Sequence, residues 1–407
     1  MNDNSIKLIK FSKQIHKTLL NSKKKYEIKN TGSIQASGSI QKKIRNPGVD
    51  LIRMIAMNGI IINYLIYQGK GFLKFAKYER QLVLLNSFFF WHNNGFTLLS
   101  GFVGYKTNKY SNLLYLWLSV VFYSVGIHIF FITFKPKSFI RYKMSMEYFP
   151  IIYERYWYFT RYFGMYLFLP VINKGISLLT KVEFKLLIIS IIGIFSFWKD
   201  YKTPGKDPFK MDRGYTIIWF LCLFLTGAYI GKYRTNYSGI KKFIYCFICL
   251  FIYGFVTFLY NKIINNELNF REGYLRKKII IILKNLLNIN INSILKVAQS
   301  ISIILFVLQI NFNKYLAKII SFCGPLNFGV YLIHIHTIVD DNIIRNIFEK
   351  YSNNLSLIST IILVLKKDII IYVICICIEY MRYILFYIIR IRKICIILEK
   401  LIFKLFS

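Results

Sequence analysis

Long apolar stretches recur along this chain at the length a bilayer demands, and no other feature limits its fold more. A segment crossing hydrocarbon must satisfy its own backbone N–H and C=O groups, which leaves helices or closed barrels. The stretches are continuously apolar rather than alternating, so helices are expected. We read about ten spans at bilayer length, over 49–68, 82–105, 113–134, 156–179, 186–198, 215–230, 243–260, 294–310, 326–339 and 369–389. The expected fold is an all-α, polytopic transmembrane helix bundle. Two shorter stretches are ambiguous. Residues 279–287 (IIIILKNLL) form an interfacial helix or extend the eighth span, and 357–365 pose the same alternatives, being separated from the last span by Lys366, Lys367 and Asp368.

Composition supports an integral membrane protein, with 55% hydrophobic residues and a mean hydropathy of +0.44, well above an ordinary soluble domain. The formal charge of +37 comes from basic residues in short clusters between apolar runs. That pattern fits loops against anionic lipid head groups, and an anionic small-molecule partner, better than a nucleic-acid surface. AT-rich coding bias accounts equally well for much of it. The cysteines (Cys222, Cys246, Cys249, Cys323, Cys375, Cys377, Cys395) sit mostly in apolar runs without metal-ligand companions, so they read as packing residues rather than a disulfide framework or zinc site.

Residues 1–44 form a basic tail in which Leu8, Phe11, Ile15 and Leu19 recur at helical spacing among lysines. It is either an amphipathic helix on a membrane surface or a disordered cytosolic tail. A single membrane domain follows over 45–392, and 393–407 form a basic C-terminal tail. An even span count places both termini on one side, and the basic ends favour the cytosol. Asp200, Asp207, Asp212, Glu267, Glu272, Asp340 and Asp341 then fall on the far side, opposite short basic loops around Lys106, Lys232 and Lys314.

The first span, VDLIRMIAMNGIIINYLIYQ, carries Asp50, Arg53, Asn58 and Asn63. Polar groups at membrane depth are costly, face the interior or a cavity, and mark the working part of such proteins. Arg53 and Tyr64 lie eleven positions apart, so on a helix they project within about 20° of each other and about 16 Å apart along the axis. One face of this helix is a candidate site wall.

Five segments carry a resemblance: RNPGVDLIRMIAMNGIIIN (45–63), NNGFTLLSGFVGYK (93–106), YWYFTRYFGMYLFLPVINKGI (156–176), GPLNFGVYLIHIH (324–336) and EYMRYILF (379–386). In this order they resemble the acyltransferase 3 family of polytopic membrane acyltransferases. The resemblance implies transfer of an acyl group, commonly acetyl from acetyl-CoA, to a hydroxyl of a carbohydrate or lipid-linked glycan. It implies acyl-CoA as co-substrate, and we expect no bound cofactor and no metal. The family places a histidine eleven positions after the first-helix arginine, and here that position is Tyr64.

An alcohol attacking a thioester benefits from a base near neutral pKa, which histidine supplies and tyrosine, ordinarily about 10, does not. The site is therefore rewired or inactive, and the second reading is a non-catalytic polytopic protein, a pseudoenzyme or carrier. Membrane histidines available for rewiring are His92, His128, His334 and His336. His92 is favoured because Asn93, Asn94, Ser100 and Gly101 make its helix locally polar and closely packed. His334 and His336 point about 160° apart on a helix, so at most one faces a shared pocket.

Arg53 is a candidate for charge-assisted bonds to an acyl-CoA head group, or for an ion pair with Asp50. Arg161 is a second donor-binding cation or a helix-pairing residue. Ser100, Gly101 and Phe102 match the family's Ser-Gly-aromatic turn, where small residues let helices approach; the flanks are not those of a nucleophile elbow. Glu379 and Arg382 are spaced to pair. The aromatic run 153–163 fits an interfacial belt, while its Trp157 and Tyr158 suit an acceptor path. The expected pocket is walled by Arg53, Asn63 and Tyr64, by His92, Asn94 and Ser100, and by Trp157 and Arg161.

Overall fold

The computed structural model describes residues 46–135, 144–198, 207–264, 290–345, 347–352 and 354–406. The expected tail 1–44, the segment 279–287, and Asp200, Glu267 and Glu272 lie outside them. The described regular structure is helical, with no strand among the described residues. The principal helices are α1 (Pro47–Tyr67), α2 (Glu79–Ser87), α3 (His92–Gly104), α4 (Tyr110–Phe134), α5 (Met144–Tyr148), α6 (Trp157–Leu167), α7 (Leu169–Leu178) and α8 (Lys181–Ile192). They continue with α9 (Ile217–Tyr233), α10 (Gly239–Ile264), α11 (Ile294–Val307), α12 (Lys314–Cys323), α13 (Asn327–His334), α14 (Leu357–Ile388) and α15 (Ile391–Phe406).

Four segments are long and apolar enough to cross a membrane: α1, α4, Gly239–Lys262 of α10, and Lys314–His334, which runs from α12 into α13. Burial separates inner from outer members. It reaches 61% in α1 and 50% in Lys314–His334, against 33% in α4 and 22% in α10. The first two are therefore interior, whereas α10 exposes Phe243, Phe247, Phe251 and Phe255, as a lipid-facing helix does.

Several expected spans are divided. Residues 82–105 become α2 and α3, with a tight turn in which His92 N–H bonds the Phe89 carbonyl. Residues 156–179 become α6 and α7, because Pro170 occupies the first turn of α7, where a missing N–H costs nothing. At the other end of the chain, 357–365 and the last expected span fuse into α14. Lys366 is exposed at the point of fusion, consistent with the good helix propensity of lysine and a stem that carries its charge outward. The expected C-terminal tail is helical through Phe406.

Helix α1 begins where sequence chemistry places it. Asn46 accepts from Gly48 N–H at 2.9 Å, Pro47 occupies the first turn and Asp50 adds an acid there, three features of a helix N-terminus. A close crossing then fixes α3 against α9. A Cβ at Gly101 would stand 1.9 Å from the Phe224 carbonyl oxygen, and one at Gly227 1.9 Å from that of Leu98. The Ser-Gly-aromatic segment thus permits backbone-to-backbone packing. Gly227→Ala is expected to cost about 1–3 kcal/mol by overpacking and to lower the unfolding temperature in detergent. Gly254→Ala, with nothing within 4 Å, should leave it unchanged or slightly raised.

Glu379 and Arg382 do pair, at 2.5 Å, and the pair is fully supported. Tyr123 donates to Glu379 at 2.7 Å, while Arg382 donates to Tyr115 and Ser119 at 3.2 Å each. This buried network ties α14 to α4.

Candidate active site

A cavity of about 440 Å³ lies along one face of α1, within the size range of small-molecule sites. From α1 it is lined by Arg53, Met57, Ile60, Asn63 and Tyr64, whose spacing is that of a single helical face. From α3 come His92, Asn93, Phe96 and Ser100, and from α6 Trp157, Tyr158, Phe159 and Tyr162. Asn327, Phe328 and Tyr331 of α13 close the remaining side, with Ile335, Tyr215 and Leu116. Polar groups from α1 and α3 thus face a largely aromatic wall.

Of the expected site residues, Arg53, Asn63, Tyr64, His92, Ser100 and Trp157 line this cavity. Asn94 and Arg161 are not among the lining residues. Asn94 is buried, donating to the Ile291 carbonyl at 2.8 Å and accepting from Trp219 at 3.4 Å, so it pins α3 to its neighbours. Arg161 donates to the Tyr215 carbonyl at 2.8 Å and to Glu154 at 2.6 Å. The spacing that placed it near a site could not distinguish the cavity side of α6 from the loop side.

Arg53 pairs with Asp50, one guanidinium nitrogen at 3.0 Å, and also lines the cavity. Asn63 donates to Asn86 at 3.3 Å. Ser100 donates to the Phe96 carbonyl at 2.9 Å, a bond within its own helix that gives it no base to activate it.

His92 has a defined tautomer. Its Nδ1 is 2.5 Å from the Phe89 carbonyl oxygen, and a carbonyl only accepts, so Nδ1 carries a proton and, in the neutral ring, Nε2 is the acceptor. The imidazole is part of the cavity wall. His334 is oriented the same way, with Nδ1 2.6 Å from the Val330 carbonyl, but it is not a lining residue. It packs edge-on behind Tyr64, ring centroids 5.7 Å apart.

His128 and His336 converge elsewhere, on Glu147, a carboxylate that individual motifs gave no reason to notice. Its side chain is fully buried, 3.6 Å from His128 and 3.5 Å from His336. It accepts from Ser124 at 2.5 Å and pairs with Arg155. Burial alone raises a carboxyl, but the His336 imidazole, the Ser124 hydroxyl and the Arg155 charge outweigh it and hold Glu147 below the usual range. The cluster joins α4, α5, the approach to α6 and the chain beyond α13, directly behind the aromatic wall. Among the described residues, no group of three or more His, Cys, Asp or Glu is placed to hold a metal ion.

The model of the acyltransferase 3 family, described as an acyltransferase domain, matches residues 46–380. The chain belongs to the acyltransferase 3 family. No match was found among curated proteins or among solved structures. For this acyltransferase 3 protein, membership supports membrane acyl transfer as the general class of activity. The sequence reading did not single out Tyr162, Asn327, Phe328 and Tyr331. A signal existed in GPLNFGVYLIHIH, where 327, 328, 331 and 335 share one helical face.

Proposed function

We propose that the protein transfers an acyl group, typified by acetyl, from acyl-CoA to a hydroxyl of a glycan or related acceptor, with His92 as the base. The observation that carries this reading is the cavity itself. It brings Arg53, Tyr64 and a His92 imidazole of fixed tautomer to one space, between ends of α1 lining residues about 16 Å apart. Arg53 at one end suits the anionic head of the donor. His92 Nε2 takes the acceptor hydroxyl's proton as its oxygen attacks the thioester carbonyl, the C–S bond breaks, and the same nitrogen returns the proton to the thiolate. Tyr64 serves as a hydrogen-bond donor to the carbonyl oxygen rather than as a base. In this reading the bundle has about ten spans, counting its divided ones, with both termini cytosolic and the donor entering from that side.

A charge-assisted bond contributes about 1.5–3 kcal/mol, so Arg53→Ala should raise the donor KM by roughly tenfold or more. Arg161→Ala, which loses only its bonds to Glu154 and Tyr215, should leave that KM within about twofold, since exposed ion pairs contribute little. Steady-state kinetics with acetyl-CoA checks both. Equal KM values for Arg53→Ala and the parent would remove the donor site from this cavity.

Tyr64 favours the second reading, a polytopic protein that binds or moves its ligand without transferring the acyl group. It predicts saturable acyl-CoA binding with no release of free thiol.

A further inference from the structure

Helix α15 has a buried edge, exposed lysines, and exposed apolar residues that include Ile396, Ile397, Leu398, Ile402 and Phe403. Toward the protein it turns Ile391, Cys395 and Glu399. Cys395 is fully buried, and Glu399 accepts the Tyr110 backbone N–H at 2.6 Å. At about 100° per residue, Ile394, Leu401 and Leu405 form a stripe roughly a quarter-turn away, with exposures of 42%, 52% and 81%. Beyond that stripe, Lys393, Lys400 and Lys404 form another, also exposed. The apolar stripe thus lies between the bundle and the lysines.

The place of α15 in the fold says what covers the stripe. It follows α14 through a turn in which Arg390 has φ +59°, and it packs beside the first turn of α4, where Phe403 meets Tyr110 with ring centroids 6.2 Å apart. Helix α4 is long enough to cross a membrane, so its first turn marks a membrane face. The 16 residues of α15 extend about 24 Å and include Arg392, Lys393, Glu399, Lys400 and Lys404. That is too short and too charged to span, but it suits a helix lying in the interface plane.

We propose that α15 lies in the head-group layer beside α4 and binds anionic phospholipid, with Ile394, Leu401 and Leu405 inserted among acyl chains and Lys393, Lys400 and Lys404 on the head groups. Charge complementarity selects anionic lipid over a neutral surface, because each lysine near such a surface contributes about fivefold in affinity. Helix α15 then holds anionic lipid beside the first turn of α4.

The test is backbone hydrogen exchange of α15 in the full-length protein, reconstituted in nanodiscs of phosphatidylcholine alone or with phosphatidylserine. Exchange across α15 should slow by at least about fivefold when phosphatidylserine is present, and 0.5 M salt should remove much of the difference. Lys393→Gln/Lys400→Gln/Lys404→Gln, all at exposed positions, should abolish the phosphatidylserine effect while leaving α4 exchange unchanged. Equal protection in both lipids for parent and variant would mean that the bundle alone holds α15, and the proposal would fail. Protection that instead rises with protein concentration would assign the stripe to a second copy of the chain, which also overturns it.

Discussion

Replacing His92 with alanine should lower acyl transfer by about a hundredfold to ten-thousandfold, the usual contribution of a general base, while changing the donor KM little. The imidazole lines the cavity, and with Nδ1 committed to the Phe89 carbonyl the proposed base is Nε2 of the neutral ring. Its loss removes the proton acceptor without disturbing Arg53. A second substitution gives the expectation its specificity. Tyr64→His in the His92→Ala background puts an imidazole back on the same cavity and should recover part of the lost rate. In the parent background Tyr64→His should change the rate much less, since His92 already serves. A rate unaffected by His92→Ala but raised strongly by Tyr64→His would show that position 64 remains the limiting one.

Glu147→Ala is expected to have the largest effect on stability, about 3–5 kcal/mol, the cost of removing one partner from a buried ionic cluster. Arg155 would lose its carboxylate, while His128 and His336 would lose their shared neighbour. Thermal unfolding in detergent measures it. Glu154→Ala is the control, because Glu154 is 54% exposed and its pair with Arg161 should contribute no more than about 1 kcal/mol. The advantage of the parent over Glu147→Ala also depends on pH in a defined direction. Glu147 is held below its ordinary pKa, so its stabilisation is complete above the usual glutamate value of about 4.3 and is lost as the pH falls below it. An advantage that grew on acidification would contradict the cluster as described.

The parts of this protein legible from its sequence are those that depend on one helix at a time. The eleven-residue interval between Arg53 and Tyr64 placed both on one face of α1, and the cavity lies along that face. His92 and Ser100 followed from the polar character of their segment, and Glu379 with Arg382 from a three-residue spacing. What was not legible depends on where separate helices meet. Glu147 draws partners from residues 124, 128, 155 and 336, and no local pattern announces such convergence. Asn94 looked like a wall residue because its helix is polar, but its direction was fixed by the distant Ile291 carbonyl and Trp219. Span boundaries failed for a related reason. Hydropathy averages over the turn before His92 and over Pro170, so each divided segment reads as one continuous span.

The most direct measurement is release of free CoA thiol from acetyl-CoA by the purified protein in detergent, with parent and His92→Ala assayed side by side, with and without hydroxyl acceptors. The proposed function predicts release by the parent, stimulated by a suitable acceptor and nearly absent in His92→Ala. A folded parent that binds acetyl-CoA yet releases no thiol, across several acyl donors and hydroxyl acceptors, would contradict it and leave the non-catalytic reading in its place.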